Sequence, residues 1–265
     1  MRAVSVSPDA LVVTSAFWQT NAVAVRGGGE TVLIDSPYLP DELDALPGVL
    51  AGAGFEPDGL LATHADFDHL LGRLAFPGMT LGLGESSVER LRREPGQAQR
   101  ELRDHDARFY VTRPGPLALG QVQGLAVPGR VDLGTGADAL ELELHPAEGH
   151  TSDGMALLAE PLGLLVVGDY LSDVEIPWIS AGGSLDDYRA TLARLGPLVE
   201  RAATIVPGHG APHSRETALR LLDEDVDYLD SVERGEERGV LPPGRDTKAQ
   251  REIHAENLAR VARAC

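Results

Sequence analysis

Strand-like apolar runs alternate with polar turns along the first third of the chain. Ala10 to Thr14, Asn21 to Arg26 and Thr31 to Asp35 read as strands. Gly27-Gly28-Gly29-Glu30 lies between the second and third as a hairpin turn, where glycine supplies positive φ at little steric cost. Leu39 to Gly54 takes up helical spacing, with Pro47 expected to kink the helix or start a second one. Gly59 to Thr63 is a short buried strand. Two charged stretches, Glu85 to Arg93 and Gln97 to Arg108, are separated by Pro95 and Gly96 and read as a solvated helical pair. Strands return at Leu125 to Val127, Ala139 to Leu144, Met155 to Ala159, Gly163 to Val167 and Thr204 to Val206. Ser184 with Asp187 three residues on marks a helix start, and Ser214 caps another. After Leu241-Pro242-Pro243-Gly244 a last helix is expected from about Asp246 to Ala264. A strand-rich half, a helical crossover and a second strand-rich half predict layered α+β packing in one domain over 1–265, with a C-terminal helical extension from about 214 to 265.

Composition narrows the function. The 265 residues carry 43% hydrophobic and 24% charged side chains, as expected of a soluble globular protein. A formal charge of −18 argues against a nucleic-acid or anionic-membrane partner, since phosphates would be repelled. No apolar run reaches the roughly 18 residues of a membrane span, and no export signal is read at the N-terminus. The one cysteine, Cys265, cannot form an internal disulfide and is not expected to bind metal. These features give the cytoplasm as the expected location and a small molecule as the expected partner, and leave the oligomeric state undetermined.

The chemistry concentrates at strand ends. Thr63-His64-Ala65-Asp66-Phe67-Asp68-His69 places two imidazoles and two carboxylates within six residues, directly after an apolar strand. His suits zinc, iron, manganese and copper; carboxylate suits harder cations. Glu148-Gly149-His150-Thr151, Gly168-Asp169-Tyr170 and Pro207-Gly208-His209-Gly210 follow three further strands. Ligands delivered at the ends of strands in one sheet edge are rigid and convergent, as a metal site requires.

In this order of motifs the sequence resembles the metallo-β-lactamase superfamily of hydrolases, over about Asn21 to His209. The resemblance implies a four-layer αββα sandwich with two divalent metal ions between the sheet edges, zinc or iron and manganese. Carried over residue by residue, it implies His64, Asp66 and His150 at a first metal, Asp68, His69 and His209 at a second, and Asp169 between them. It further implies hydrolysis of a small ester, thioester, lactone or related bond by a metal-bound hydroxide, with Asp68 as proton acceptor. The chain departs from the family at Asp66, where the second His of the H-x-H-x-D-H motif is usual. With three carboxylates and one hydroxide, two divalent ions sum to neutral, one charge below the usual count, which favours iron or manganese over zinc. The family also contains mononuclear-iron dioxygenases acting on thiol-derived substrates, an alternative to hydrolysis, and a non-catalytic metal-binding protein is a third possibility.

Around this set, Asp35 is expected to support the site from beneath. Tyr170, Trp178 and Phe67 are candidate substrate contacts. Asn21 is expected to tie backbone near the first hairpin. His105, His145 and His254 are expected in solvent, and His213 in an ordinary turn before a helix.

Overall fold

The computed structural model describes residues 1–238 and 241–264; Cys265 lies outside the described residues. The first half comprises β1 (Arg2–Ser7), β2 (Ala10–Thr14), β3 (Asn21–Gly27), β4 (Glu30–Asp35), α1 (Pro40–Gly52) and β5 (Gly59–Leu61). It continues through α2 (Gly72–Ala75), β6 (Leu81–Gly84), α3 (Glu85–Arg93), α4 (Gln97–Phe109) and β7 (Val122–Leu125). The second half comprises β8 (Gly129–Leu133), β9 (Leu140–Pro146), β10 (Met155–Ala159), β11 (Leu164–Val166), α5 (Leu185–Arg201), β12 (Thr204–Val206), β13 (His213–Ser214), α6 (Arg215–Glu233) and α7 (Lys248–Ala264). Among the described residues these form a seven-stranded sheet in the order β1 to β7 and a six-stranded sheet in the order β13-β12-β11-β10-β9-β8.

The period-two pattern fixes the layering. Along β3, Val23 and Val25 enter the core between the sheets, while Ala22 and Ala24 face the first helical layer. β10 does the same in the second sheet: Met155, Leu157 and Ala159 point between the sheets, and Ala156 and Leu158 meet the other helices. Leu43, Leu46 and Leu50 of α1 close one outer core, and Leu192, Leu195 and Val199 of α5 close the other. Three apolar seams thus separate four layers, helix–sheet–sheet–helix, the αββα sandwich that the sequence resemblance implied. The β3–β4 hairpin turns at Gly28 and Gly29 with φ of 54° and 86°, values that side chains with a Cβ rarely adopt.

Some elements differ from expectation. β7 ends at Leu125 instead of spanning 125–127. β1, β6 and β8 are additional to the expected strands; β1 is largely exposed and β6 carries two glycines among its four residues. Helix α1 runs through Pro47 without a second start. The pair α3 and α4 is not simply solvated, because Val88, Ala98 and Leu102 bury into the helical layer.

Parallel pairing puts the ends of β4 and β5 on one edge of the first sheet, and those of β11 and β12 on one edge of the second. Where these edges meet, backbone hydrogen bonds join the sheets: Met155 N to Thr63 O at 2.8 Å and Asn21 N to Gly208 O at 2.8 Å. The Asn21 amide also donates to the carbonyls of Pro207 and Gly210, each at 2.9 Å. Asn21 therefore ties backbone as expected, but in the opposite sheet.

The last helix is fastened to a loop between β11 and α5. Asn257, fully buried, accepts from Ile179 N at 2.9 Å and donates to Pro177 O at 2.7 Å and to the Tyr228 hydroxyl at 2.9 Å. Gln250 accepts from Ile176 N at 2.8 Å, and Arg245 donates to Ser172 O and Glu175 O. His254 is buried between Tyr228 and the Glu236 carbonyl, not in solvent. His213 is buried as well, in a short strand beside β12. Replacing Asn257 by Leu strands the Ile179 amide, and the expected loss is about 1–3 kcal/mol of unfolding free energy in a denaturant titration.

Candidate metal centre

Four strand-end loops deliver the polar cluster to the seam between the sheets. The loop after β5 carries His64, Asp66, Asp68 and His69; those after β9, β11 and β12 carry His150, Asp169 and His209. All four histidines are buried. Their ligand atoms fall into three overlapping groups, His64–Asp66–His150, His64–His69–Asp169 and Asp68–His69–His209, each with atoms within 4.8 Å of one another.

Three rings have the outer nitrogen hydrogen-bonded, and the fourth, that of His69, faces a carboxylate. His150 Nδ1 donates to Trp178 O at 2.7 Å and His209 Nδ1 to Trp18 O at 3.1 Å. His64 Nδ1 sits 3.1 Å from Thr63 Oγ1, whose proton goes to Asp35 Oδ2 at 2.9 Å, so the hydroxyl oxygen is free to accept. His69 Nδ1 faces Asp35 Oδ2 at 3.0 Å. The partners on Nδ1 select the tautomer that leaves Nε2 with its lone pair inward. Nε2 of His64, His69 and His150 and Oδ1 of Asp169 are buried with no hydrogen-bond partner. Orphaned acceptors of this kind fit a cation.

The carboxylates divide the cluster in two. Asp169 Oδ2 lies 3.6 Å from His64 Nε2 and 3.3 Å from His150 Nε2, while its Oδ1 lies 3.1 Å from His69 Nε2 and 3.6 Å from His209 Nε2. One carboxylate thus faces both halves. Asp66 Oδ2 reaches the first half, 3.4 Å from His150 Nε2 and 3.7 Å from His64 Nε2. Asp68 Oδ2 reaches the second, 3.2 Å from His209 Nε2 and 3.7 Å from His69 Nε2. Gly208 is required by this crowding, because a Cβ there would stand 2.8 Å from the His69 ring and closer still to Asp169.

Electrostatics follow from packing three acids among four imidazoles. Burial opposes charge on His150, but Asp66 and Asp169 overcome it and raise its pKa to about 9. Burial is likewise outweighed at His209, raised to about 10 by Glu175, Asp169 and Asp68. Asp66 is held well below the usual carboxylate range, since His150, His64 and Arg90 outweigh its burial. The acids favour protons on His69, His150 and His209, and a metal would displace such protons.

Asp35 sits beneath the cluster. Its carboxylate accepts from Thr63 N at 2.8 Å as well as from the Thr63 hydroxyl and faces His69. Its backbone is left-handed, φ 57°, a strained conformation for a residue with a Cβ.

The family model of the metallo-beta-lactamase superfamily matches residues 16–209. The chain belongs to this superfamily. Among solved structures, the metallo-beta-lactamase family protein TTHA1429 from Thermus thermophilus aligns at 20% identity and TM-score 0.67, over 96% of this chain and 92% of that one. TTHA1623 in a di-iron-bound form aligns at 23% identity and TM-score 0.61, over 79% of this chain and 97% of that one. The inverting sec-alkylsulfatase Pisa1 from Pseudomonas sp. has a TM-score of 0.69 at 14% identity; 99% of this chain spans half of that protein. A search of curated proteins finds no match. At these identities the structures establish a shared fold, and the superfamily assignment rests on the family match.

The structure of this superfamily member alters several expectations about residues around the cluster. Tyr170 is no substrate contact: it is buried, its hydroxyl accepts from His150 N at 3.1 Å and donates to Glu148 O at 2.8 Å. Trp178 packs beside His150 at 5.6 Å between ring centroids, with its indole N–H on Glu256. Phe67 is half-buried against His105 at 5.5 Å. His105 is not solvated; it lies among Phe17, Trp18, Phe67 and Phe109 and pairs with the Tyr38 hydroxyl at 2.8 Å. His145 is only partly buried and pairs with Glu143, apart from the cluster.

The residue that sequence reasoning missed is Arg90. From α3 its Nη1 lies 2.7 Å from Asp66 Oδ1 and 2.8 Å from Asp153 Oδ1. The neutral charge count for the centre therefore omitted a nearby cation. Nothing in the charged run Glu85 to Arg93 distinguished Arg90 from its neighbours; only the unusual acid at 66 implied a counter-charge somewhere.

Two expected outcomes follow from these contacts. Asp35→Asn, which removes the charge facing His69, is expected to weaken metal binding roughly 10–100-fold in a chelator competition. Burial lowers the His105 pKa from 6.5 to about 4. A base depressed on folding stabilises fully above its unfolded pKa, and that stability is lost as pH falls from 6.5 toward about 4. Between about pH 7.5 and about pH 4.5, wild type is expected to lose more stability than His105→Gln, read by denaturant titration at each pH.

Proposed function

We propose that this protein is a metal-dependent hydrolase of a small ester, thioester, lactone or related bond. In this reading His64, Asp66 and His150 hold a first divalent metal, Asp68, His69 and His209 a second, and Asp169 bridges them. The observation that carries it is the set of inward Nε2 atoms, those of His64, His69 and His150 buried and unpaired, around Asp169, whose two oxygens face different histidine pairs. When bound, such a metal pair supplies Lewis acidity and a nucleophile at neutral pH.

The chain's own groups do the rest. Asp68, pressed against His209 and His69, has its pKa lowered despite burial, so it is ionised near neutral pH and suited to take a proton from an attacking water. Tyr170 and Trp178 position His150, one through its backbone amide and the other through a carbonyl on its ring. Trp18, Phe67, His105 and Phe109 form an apolar wall beside the second triad; Trp18 and Phe109 are 37% and 39% exposed, and the Trp18 ring lies 6.2 Å from that of His209. Such a wall suits an apolar part of the substrate. Phe67 and Trp178 stand as the remaining substrate contacts.

Iron is a reasonable occupant alongside zinc and manganese: TTHA1623 has a di-iron-bound form, and Asp66 supplies a hard oxygen donor. The dioxygenase reading is less economical, because the second triad is fully built. The C-terminal helices belong to the same domain in this reading, since Arg245, Gln250 and Asn257 hydrogen-bond the loop leading to Trp178. No helix among the described residues is long and apolar enough to cross a membrane, and a cytoplasmic enzyme acting on a small molecule is the proposed setting.

Protein purified without chelators is expected to carry about two metal equivalents per chain by elemental analysis. Asp68→Ala is expected to lower hydrolysis of activated esters by at least about 100-fold. Intact folding with no metal, or unchanged hydrolysis in Asp68→Ala, would overturn the proposal. Oxygen uptake with a persulfide substrate would move the assignment to the dioxygenase class.

A further inference from the structure

Three side chains make the first triad unlike the second. Asp68 reaches the second triad and, among the described residues, has no cationic side chain at salt-bridge distance other than the histidines. Asp66 reaches the first with one oxygen only; its other oxygen is 2.7 Å from the Arg90 guanidinium. Arg90 is shared with Asp153, which is buried and whose second oxygen accepts from Ala65 N at 2.9 Å. Ala65 sits between His64 and Asp66, so the Asp153 contact also fixes the backbone that aims both side chains. A guanidinium is always charged, and here a single nitrogen, Nη1, lies against both carboxylates. Placing that charge beside a site built for cations carries an electrostatic cost and calls for a compensating role.

We infer that Arg90 sets the metal preference of the first triad, by capping Asp66 so that it offers a single, charge-compensated oxygen. This inference rests on the binuclear reading above and adds to it a difference between its two halves. With Arg90 in place, Asp66 binds through one atom and with part of its charge offset, so two imidazoles dominate the triad. That donor set suits zinc and iron. Without Arg90, Asp66 is free to use both oxygens at full charge, and the triad moves toward manganese. Asp153 modulates the cap: it draws on the same guanidinium, and neutralising it leaves the whole positive charge to Asp66.

The test is the ratio of manganese to zinc affinity, read on the full chain by competition for each of the two bound equivalents. Arg90→Met is expected to raise that ratio roughly ten-fold at one equivalent and leave the other unchanged. Asp153→Asn is expected to move the same equivalent the opposite way. Residues that merely hold the loop would weaken both metals together in both variants, with the ratio fixed, and that result overturns the inference. Arg90→Lys, which keeps the charge but loses the Nη1 group that meets both acids, covers the case in which Arg90→Met does not fold: an intermediate rise supports the inference and an unchanged ratio overturns it. Wild type that loads two metals while the variants keep its ratio removes only this inference; wild type that loads none removes the binuclear reading with it.

Discussion

The arrangement depends on the pinning of each imidazole through its outer nitrogen. Four rings at the seam of two sheets would otherwise turn toward water or toward one another. Carbonyls of Trp18 and Trp178 and the Thr63 hydroxyl hydrogen-bond three Nδ1 atoms, the Asp35 carboxylate faces the fourth, and the Nε2 atoms are left to face the carboxylates. Three of these partners are anchored by other contacts. Thr63 and Asp35 hold each other across parallel strands, and the Trp178 segment is fastened by Asn257. The centre is therefore only as rigid as elements that contribute no ligand.

That dependence explains why the helices beyond the family match are part of the site's mechanics. The match ends at residue 209, yet the loop from Ser172 to Ile179 is bonded to Arg245, Gln250 and Asn257. The loop's backbone amides and carbonyls lie in buried surroundings and need partners; α7 supplies them with side chains. Helix α7 thereby holds the backbone carbonyl that orients His150 without approaching the cluster itself.

How far the sequence disclosed this follows from which signals are local. Continuous apolar runs in β2, β3, β4 and β10 placed those strands, because each is buried on both faces and carries apolar side chains toward both. β1 and β6 were missed: one is an exposed edge and the other is half glycine. The seven cluster residues were legible because each stands in a loop that follows a strand, three of them beside a glycine. Tyr170 was misassigned because adjacency to Asp169 says nothing about direction; the chain turns at Gly168 and drives the ring into the core. His105 and His254 were misplaced because their partners, the Phe17–Trp18 loop and Tyr228, are far away in sequence. Arg90 shows the same limit: its two acids are 24 and 63 positions away, and no local pattern encodes that meeting.

The acid at position 66 illustrates why a motif departure cannot be judged residue by residue. Considered alone, Asp66 lowers the charge of the centre and weakens its hold on electrons in a bound carbonyl. With Arg90 beside it the local charge rises again, while Asp153, sharing the guanidinium, prevents the full positive charge from falling on the triad. Three side chains from two loops and a helix together produce an environment that neither the carboxylate nor the guanidinium would give alone. The unit that governs the first triad is this network, and a comparison of motifs at position 66 that ignores Arg90 and Asp153 compares the wrong objects.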